Sequence, residues 1–575
     1  MSRHTDSEQR GGGDPCAGCG DCDRGRDALD TRRGVLGNSR GAFNLWSPWT
    51  FIIVLLPTVF LSWLFLRPLL APPLTPQELR GRQIYFAGTS PSGGRIKAYI
   101  GNDRIALPGS AATCDSCHGS DGRGRPEAGR IPSDITWDHL MKPYGHSHPL
   151  DRKHPAFTEA SLKRSILNGH DPAGNTLDVT MPTYAMSLED INDLIAYMKR
   201  LQTDFDPGLE EKSIRIGTLL PAGGRTAAIG QGMVEVMAAY FEEINSRGGI
   251  YSRKLKLIAA PYETTGQSAL AGATRLMDNE DIFAVVGAVI AGADRQMAEL
   301  AEDKKVPLIG PFSFFSADPD ALNEFTFYLY SGLSEQVRAL VDFAARDLKL
   351  DNPRVAVLGQ GDDHQKDLQT AITEQGKVHG WSAVAGFSIV PNRFDADGAA
   401  RAFKEQGVDC LFYLSFGGLK TLLEAADRAD WRPHVFLPGA LIEKEILELP
   451  VGFQKRIYLS YPTLPSDQTP AGVSEFQALL EKHELSVKHL TSQISAYVAA
   501  KIFVEGLKRT GSELSREKFI HSLEKFYQFQ TGLTPRVTYG PNRRIGALGS
   551  HIVTVDLENK KFTPFGDWID ISDRG

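Results

Sequence analysis

The 575-residue chain is short of cysteine, with six in all and no spacing that makes a disulfide framework, so a small disulfide-stapled fold is excluded. It also lacks a basic excess. Its 63 Lys and Arg stand against 70 Asp and Glu, a net charge of −7, and no basic patch points to nucleic acid. Neither Gly-x-Gly-x-x-Gly nor the P-loop lysine pattern occurs, so the glycine-rich stretches are not read as phosphate cradles. What is present is length enough for three or four domains, and an apolar content of 42% that supports sizeable cores.

One pentapeptide organises the chain: Cys114-Asp115-Ser116-Cys117-His118. Cys-x-x-Cys-His is the attachment pattern of c-type haem, with two thiols for thioether bonds and a histidine for the iron. A thioredoxin-like pair or a zinc half-site is the plainer alternative. A second axial donor should come from later in the chain, usually as methionine. Met181 lies before Pro182, which favours an extended backbone, and Met186 is the second choice. Ser187 and Asp190 then read as a capping box opening a helix with Leu188, Ile191, Leu194, Ile195, Met198 and Leu201 on one face.

With Gly81, Tyr85 and Phe86 on a first helix and Tyr197 on the last, residues 68–208 resemble a small all-α class I cytochrome c. The resemblance implies one covalent haem c, bound by Cys114 and Cys117 and ligated by His118 and Met181. The pattern departs from the family between Gly88 and Ala112, a glycine-rich, polar insertion. His139, His146, His148 and His154 read as surface or loop histidines, with a second metal site as the lesser alternative. Cys410 reads as a buried free thiol.

Ala42 to Leu66 carries no charge and is long enough for a membrane helix of about 20 residues. Arg24, Arg26, Arg32, Arg33 and Arg40 precede it, and no Ala-x-Ala cleavage site follows. The expectation is a signal anchor over 42–67, with residues 1–41 as a disordered cytoplasmic tail and everything after Arg67 in the bacterial periplasm. Cys16, Cys19 and Cys22 in that tail are read as exposed thiols, with a zinc or iron–sulfur site as the alternative.

From Ser213 strands and helices alternate, which argues two α/β lobes with parallel sheets and a cleft between them. Gly217-Thr218-Leu219-Leu220-Pro221, Ile244-Asn245-Ser246-Arg247-Gly248-Gly249-Ile250, Val285-Val286-Gly287 and Val306-Pro307-Leu308-Ile309-Gly310-Pro311 stand in order. With them, 213–575 resembles the type I periplasmic solute-binding proteins of the branched-chain amino acid and amide family. The resemblance implies a ligand held by loops Ala288–Ala293 and Pro311–Ser316 and by the loop Pro438–Leu441. The candidates are Ala291, Gly292, Ser313, Phe314 and Gly439. The first loop lacks a hydroxyl, and no acid stands at the family's ammonium position, Glu443 being only near it. An ordinary α-amino acid is therefore not the expected solute.

The expected function is single-electron transfer by a membrane-anchored periplasmic cytochrome, its binding module capturing a small molecule or docking a redox partner. The alternative is a tethered substrate receptor of an ABC-type transporter with an accessory haem. Catalysis on the bound solute is the least expected of the three, since a six-coordinate haem has no open position.

Overall fold

The computed structural model describes residues 74–124, 132–148, 152–224, 226–290, 292–315, 323–388, 394–442 and 444–571. The tail, its cysteines, the uncharged run 42–66, Ala291 and Glu443 lie outside them. Among the described residues no helix is long and apolar enough to cross a membrane.

The haem-motif region begins with α1 (Pro76–Ala87), started by a Thr75/Glu78 capping box and stopped at Gly88 with φ 61°. Strands β1 (Lys97–Ile100) and β2 (Ile105–Pro108) follow as an antiparallel hairpin. Next come α2 (Cys114–His118), α3 (Trp137–Leu140), a short ladder of β3 (His146–Ser147) with β4 (Lys153–His154), and α4 (Glu159–Asn168). Strand β5 (Thr183–Ala185) pairs with β1, and α5 (Leu188–Met198) packs across α1. The region is therefore not all-α. The insertion between Gly88 and Ala112 makes two strands of a three-stranded sheet, because Ile96 and Ala98 turn inward while Lys97 turns out. Its glycines belong to the turns, as at Gly101 with φ 74°.

The first lobe holds β6 (Ser213–Pro221), α6 (Ala227–Ser246), β7 (Lys254–Tyr262), α7 (Gly266–Asn279), β8 (Ala284–Val286), α8 (Asp294–Lys304), β9 (Leu308–Ile309) and β10 (Thr326–Tyr330). The second takes α9 (Leu333–Arg346), β11 (Val355–Gly359), α10 (Asp363–Val378), β12 (Val384–Ser388), α11 (Ala396–Glu405), β13 (Cys410–Leu414), α12 (Leu419–Arg428), β14 (His434–Pro438) and β15 (Ile457–Tyr461). The chain then returns to the first lobe through α13 (Pro470–Lys482), α14 (Leu490–Thr510), α15 (Arg516–Leu523) and β16 (Ile545–Ala547). It ends in the second with β17 (Gly549–Asp556), β18 (Lys561–Pro564) and β19 (Ile569–Asp570).

The first sheet has order β16-β10-β9-β8-β6-β7 and is parallel throughout. The second, β12-β11-β13-β14-β15-β17-β18, is parallel only as far as β15, and β17 to β19 pair antiparallel. This corrects the expectation of a wholly parallel sheet. The chain enters β17 directly from β16 of the first sheet, with Leu548 alone between them, and lays β17 antiparallel against β15. Each lobe buries its own core, with Phe241, Phe283 and Phe503 fully enclosed in the first and Phe412 and Phe436 in the second.

Candidate functional site

Helix α2 places Cys114 and Cys117 three residues apart, hence on one side, and neither is in a disulfide. Two buried tyrosines clamp the ends of the pentapeptide: Tyr184 donates to the Ala112 carbonyl at 2.8 Å and Tyr85 to the Gly119 carbonyl at 2.7 Å. His118 is buried, with Nδ1 2.9 Å from the Ser133 carbonyl. As the donor there, Nδ1–H fixes the tautomer that leaves the Nε2 lone pair for a metal, the usual second-shell arrangement of a ligating histidine. Burial lowers the pKa of this imidazole and keeps it neutral; burial also pushes the Cys114 thiol up to about 12.

Met181 is partly buried against the same core as Cys114, and so is Met186. The Met181 loop is set by an Asx turn, in which Asp178 accepts from Thr180 N at 3.0 Å and Thr180 Oγ1 at 2.8 Å. Free thiols, a buried imidazole with one nitrogen spare and a core methionine fit a covalently held haem. Ser133, Tyr85 and Tyr184 serve the site through hydrogen bonds; Ser133, 15 residues beyond His118, carries no local signal of its role.

The four histidines of the same region stand together. Ring centroids lie 4.7 Å apart for His139–His146 and 5.0 Å for both His146–His154 and His148–His154. Among the described residues, no three or more His, Cys, Asp or Glu side chains are grouped so as to hold a metal ion.

In the lobes, Gly292 is exposed with φ 71°, Phe314 is half exposed, and Gly439 lies against the Tyr461 ring. Ser313 does not present a free hydroxyl. It is hydrogen-bonded to the buried Asp294 carboxylate at the start of α8, lies 2.7 Å from the Phe315 carbonyl, and accepts from Phe315 N at 2.9 Å. Burial raises the Asp294 pKa. Phe315 stacks on His364 of the second lobe, 4.1 Å between centroids and 15° between planes, with Arg295 and Asp367 3.9 Å apart. Of the phenylalanines, Phe312 joins the first core, Phe315 reaches the second, and Phe314 alone is largely exposed. Asp294 carries no local signal of this role, since Ser313 stands 19 residues away in the chain.

A family model described as periplasmic binding protein matches residues 213–560, and one described as cytochrome c matches residues 110–202. The chain is 21% identical over 319 residues to Leu/Ile/Val-binding protein homolog 7 of Brucella abortus (strain 2308), covering 52% of this chain and 77% of that one. It is 22% identical over 340 residues to Leu/Ile/Val-binding protein BraC3 of Rhizobium johnstonii, covering 58% and 89%. Among solved structures it is similar to a fatty acid ABC transporter substrate-binding protein from Thermomonospora curvata, with TM-score 0.51, 15% identity and coverage of 64% and 95%. A branched-chain amino acid ABC transporter structure from Thermus thermophilus with bound valine gives TM-score 0.50, 15% identity and coverage of 63% and 97%. Over more than half its length the chain belongs to the periplasmic binding protein family, and a cytochrome c domain precedes that region.

Proposed function

We propose that this protein is a periplasmic one-electron carrier whose solute-binding lobes are mechanically tied to its haem site. Cys114 and Cys117 would hold haem c, and His118 and Met181 would be its axial ligands. Bound there, haem supplies reversible one-electron chemistry at a potential raised by methionine. Ser133 holds the His118 tautomer, and Tyr85 and Tyr184 hold the pentapeptide. Residues 42–67 would anchor the chain in the inner membrane, the basic residues before them remaining cytoplasmic. A periplasmic or membrane redox protein would be the electron partner.

The observation that carries this reading is the contact between the loop after His118 and the first lobe. Asp121 lies 2.5 Å from Lys518 Nζ on α15, and Arg123 lies 2.6 Å from Glu513. Arg516, at the head of α15, donates through its backbone N–H to Asp206 at 2.6 Å, closing the interdomain junction. Helix α15 packs on α14, Phe519 against Phe503 at 5.3 Å. A solute that moves the first lobe therefore acts on the loop beside the proximal histidine.

The second reading, a tethered receptor for an ABC-type transporter, draws on the names of the relatives and takes a branched-chain amino acid as its solute. The engagement of Ser313 with Asp294 weighs instead for an apolar or aromatic solute without a carboxylate at that point. The test is a redox titration of the haem-loaded protein with leucine, valine and uncharged aromatic solutes, alongside thermal melts. A solute that raises the melt and shifts the potential supports coupling, and Lys518→Ala should abolish the potential shift while leaving the melt shift. That ion pair is partly exposed and contributes about 1 kcal/mol, so the variant should fold. A melt shift without a potential shift would favour the receptor. Met181→Ala should open the iron; an unchanged spectrum and potential would remove Met181 from the role.

A further inference from the structure

We propose that His148 and His154 form a two-imidazole site for a late first-row divalent cation, copper(II) or zinc(II), separate from the haem pentapeptide. Their Nε2 atoms are 3.0 Å apart. Metal–nitrogen bonds of about 2.0–2.1 Å at roughly 90–110° place two ligating nitrogens about 2.8–3.4 Å apart, so the pair already has the bite of a chelate. The tautomer of His154 suits the role. Its Nδ1 is 2.8 Å from the Pro155 carbonyl, to which it donates, and Nε2 is left bare. This repeats what Ser133 does for His118.

The rings are held in place before any ion arrives. His154 is buried, its ring packed by His146 at 5.0 Å and edge-to-face by Phe157 at 5.0 Å. His148 is tied to the ladder by its backbone N–H, which donates to the Arg152 carbonyl at 2.8 Å. The surrounding charges are also committed. Fully buried Asp171 takes Arg152 at 3.2 Å and Asn175 Nδ2 at 3.0 Å, and Lys142 is 2.9 Å from His139 Nδ1. With no third side chain converging among the described residues, the remaining coordination positions fall to water from the groove lined by Tyr144, His146 and Lys153. Two neutral imidazoles with exchangeable water suit zinc, copper and nickel rather than calcium or magnesium. In the metal-free protein the same nitrogens share one proton as a hydrogen bond; binding releases that Nε2 proton to His148 Nδ1 or to solvent, and nothing is oxidised or reduced.

The experiment uses the full-length, haem-loaded protein freed of loose metal by chelator, titrated with copper(II) alone and with zinc(II) alone by calorimetry. The expected result is one ion per haem, a copper spectrum with hyperfine splitting from two nitrogens, and loss of both in His148→Ala. His139→Ala should keep them. Ligation by Cys16, Cys19 and Cys22 would show sulfur character and survive in His148→Ala. If His154→Ala fails to load haem, His148→Ala, at the less buried ring, still decides. Absence of binding overturns the proposal. Binding unchanged in His148→Ala means an adventitious ion only and overturns it as well.

Discussion

Gly81 stands where α1 crosses α5, and a Cβ there would lie 2.0 Å from the Asp193 carbonyl oxygen and 2.7 Å from Tyr197 Cβ. Nothing but glycine lets the two backbones approach so closely. Gly81→Ala should cost about 1–3 kcal/mol by overpacking, read as a lower melting temperature followed at the haem absorbance. An unchanged melt would mean that this crossing does not support the site. Gly81 and Tyr197 were legible as residues of a helix pair because each sits in a recognisable local pattern. Ser133 and Asp294 were not. Their roles consist of one hydrogen bond each, to His118 and Ser313, which the chain supplies from 15 and 19 residues away.

Helix α5 starts at the capping box expected from Ser187 and Asp190: the Asp190 N–H donates to Ser187 Oγ at 3.0 Å, and the Ser187 hydroxyl to Asp190 Oδ2 at 2.7 Å. The second oxygen of the same carboxylate accepts from Ser90 at 2.7 Å, in the segment leading to the β1–β2 hairpin. One buried acid thus caps a helix and pins an insertion. Asp190→Ala should cost about 1–2 kcal/mol and speed amide exchange both in the first turn of α5 and in β1. Faster exchange in α5 alone would show that the hairpin holds itself. The cap was readable because it is local; the pin was not, since Ser90 and Asp190 are a hundred residues apart.

At the scale of the whole molecule, Arg516 sits at the junction between haem domain and lobes, joined to the haem-domain side through Asp206 and Pro207. Its guanidinium donates to the carbonyls of Ile282 at 2.6 Å, Phe283 at 3.0 Å, Lys305 at 3.0 Å and Pro207 at 3.3 Å. Arg516→Ala should cost about 1–3 kcal/mol for the acceptors left unpaired, and calorimetry should then resolve separate transitions for the haem domain and the lobes. A single unsplit transition would place the junction's strength elsewhere. Asp206, beside it, has its pKa raised, chiefly by burial. Its neutral form is favoured by folding, so its contribution is greatest below the ordinary carboxylate value and is lost as pH rises through the raised one. Asp206→Asn should flatten that part of the pH–stability profile; an unaltered profile would assign it to other groups.

The sequence by itself determined what is local or periodic. Cys114, Cys117 and His118 lie within one turn of chain, Ser187 and Asp190 mark a helix start, and the alternation from Ser213 through β14 reads as α/β because burial imposes its period on each segment separately. The tertiary structure alone decided which distant groups meet. The Lys518–Asp121 contact spans 397 residues. The β1–β2 sheet is completed by β5 from beyond the haem motif, and β17 pairs antiparallel with β15 after the chain has passed back through the first lobe. The physical reason is that such contacts are selected by the packing of whole domains. No window of sequence short enough to have a period contains both partners.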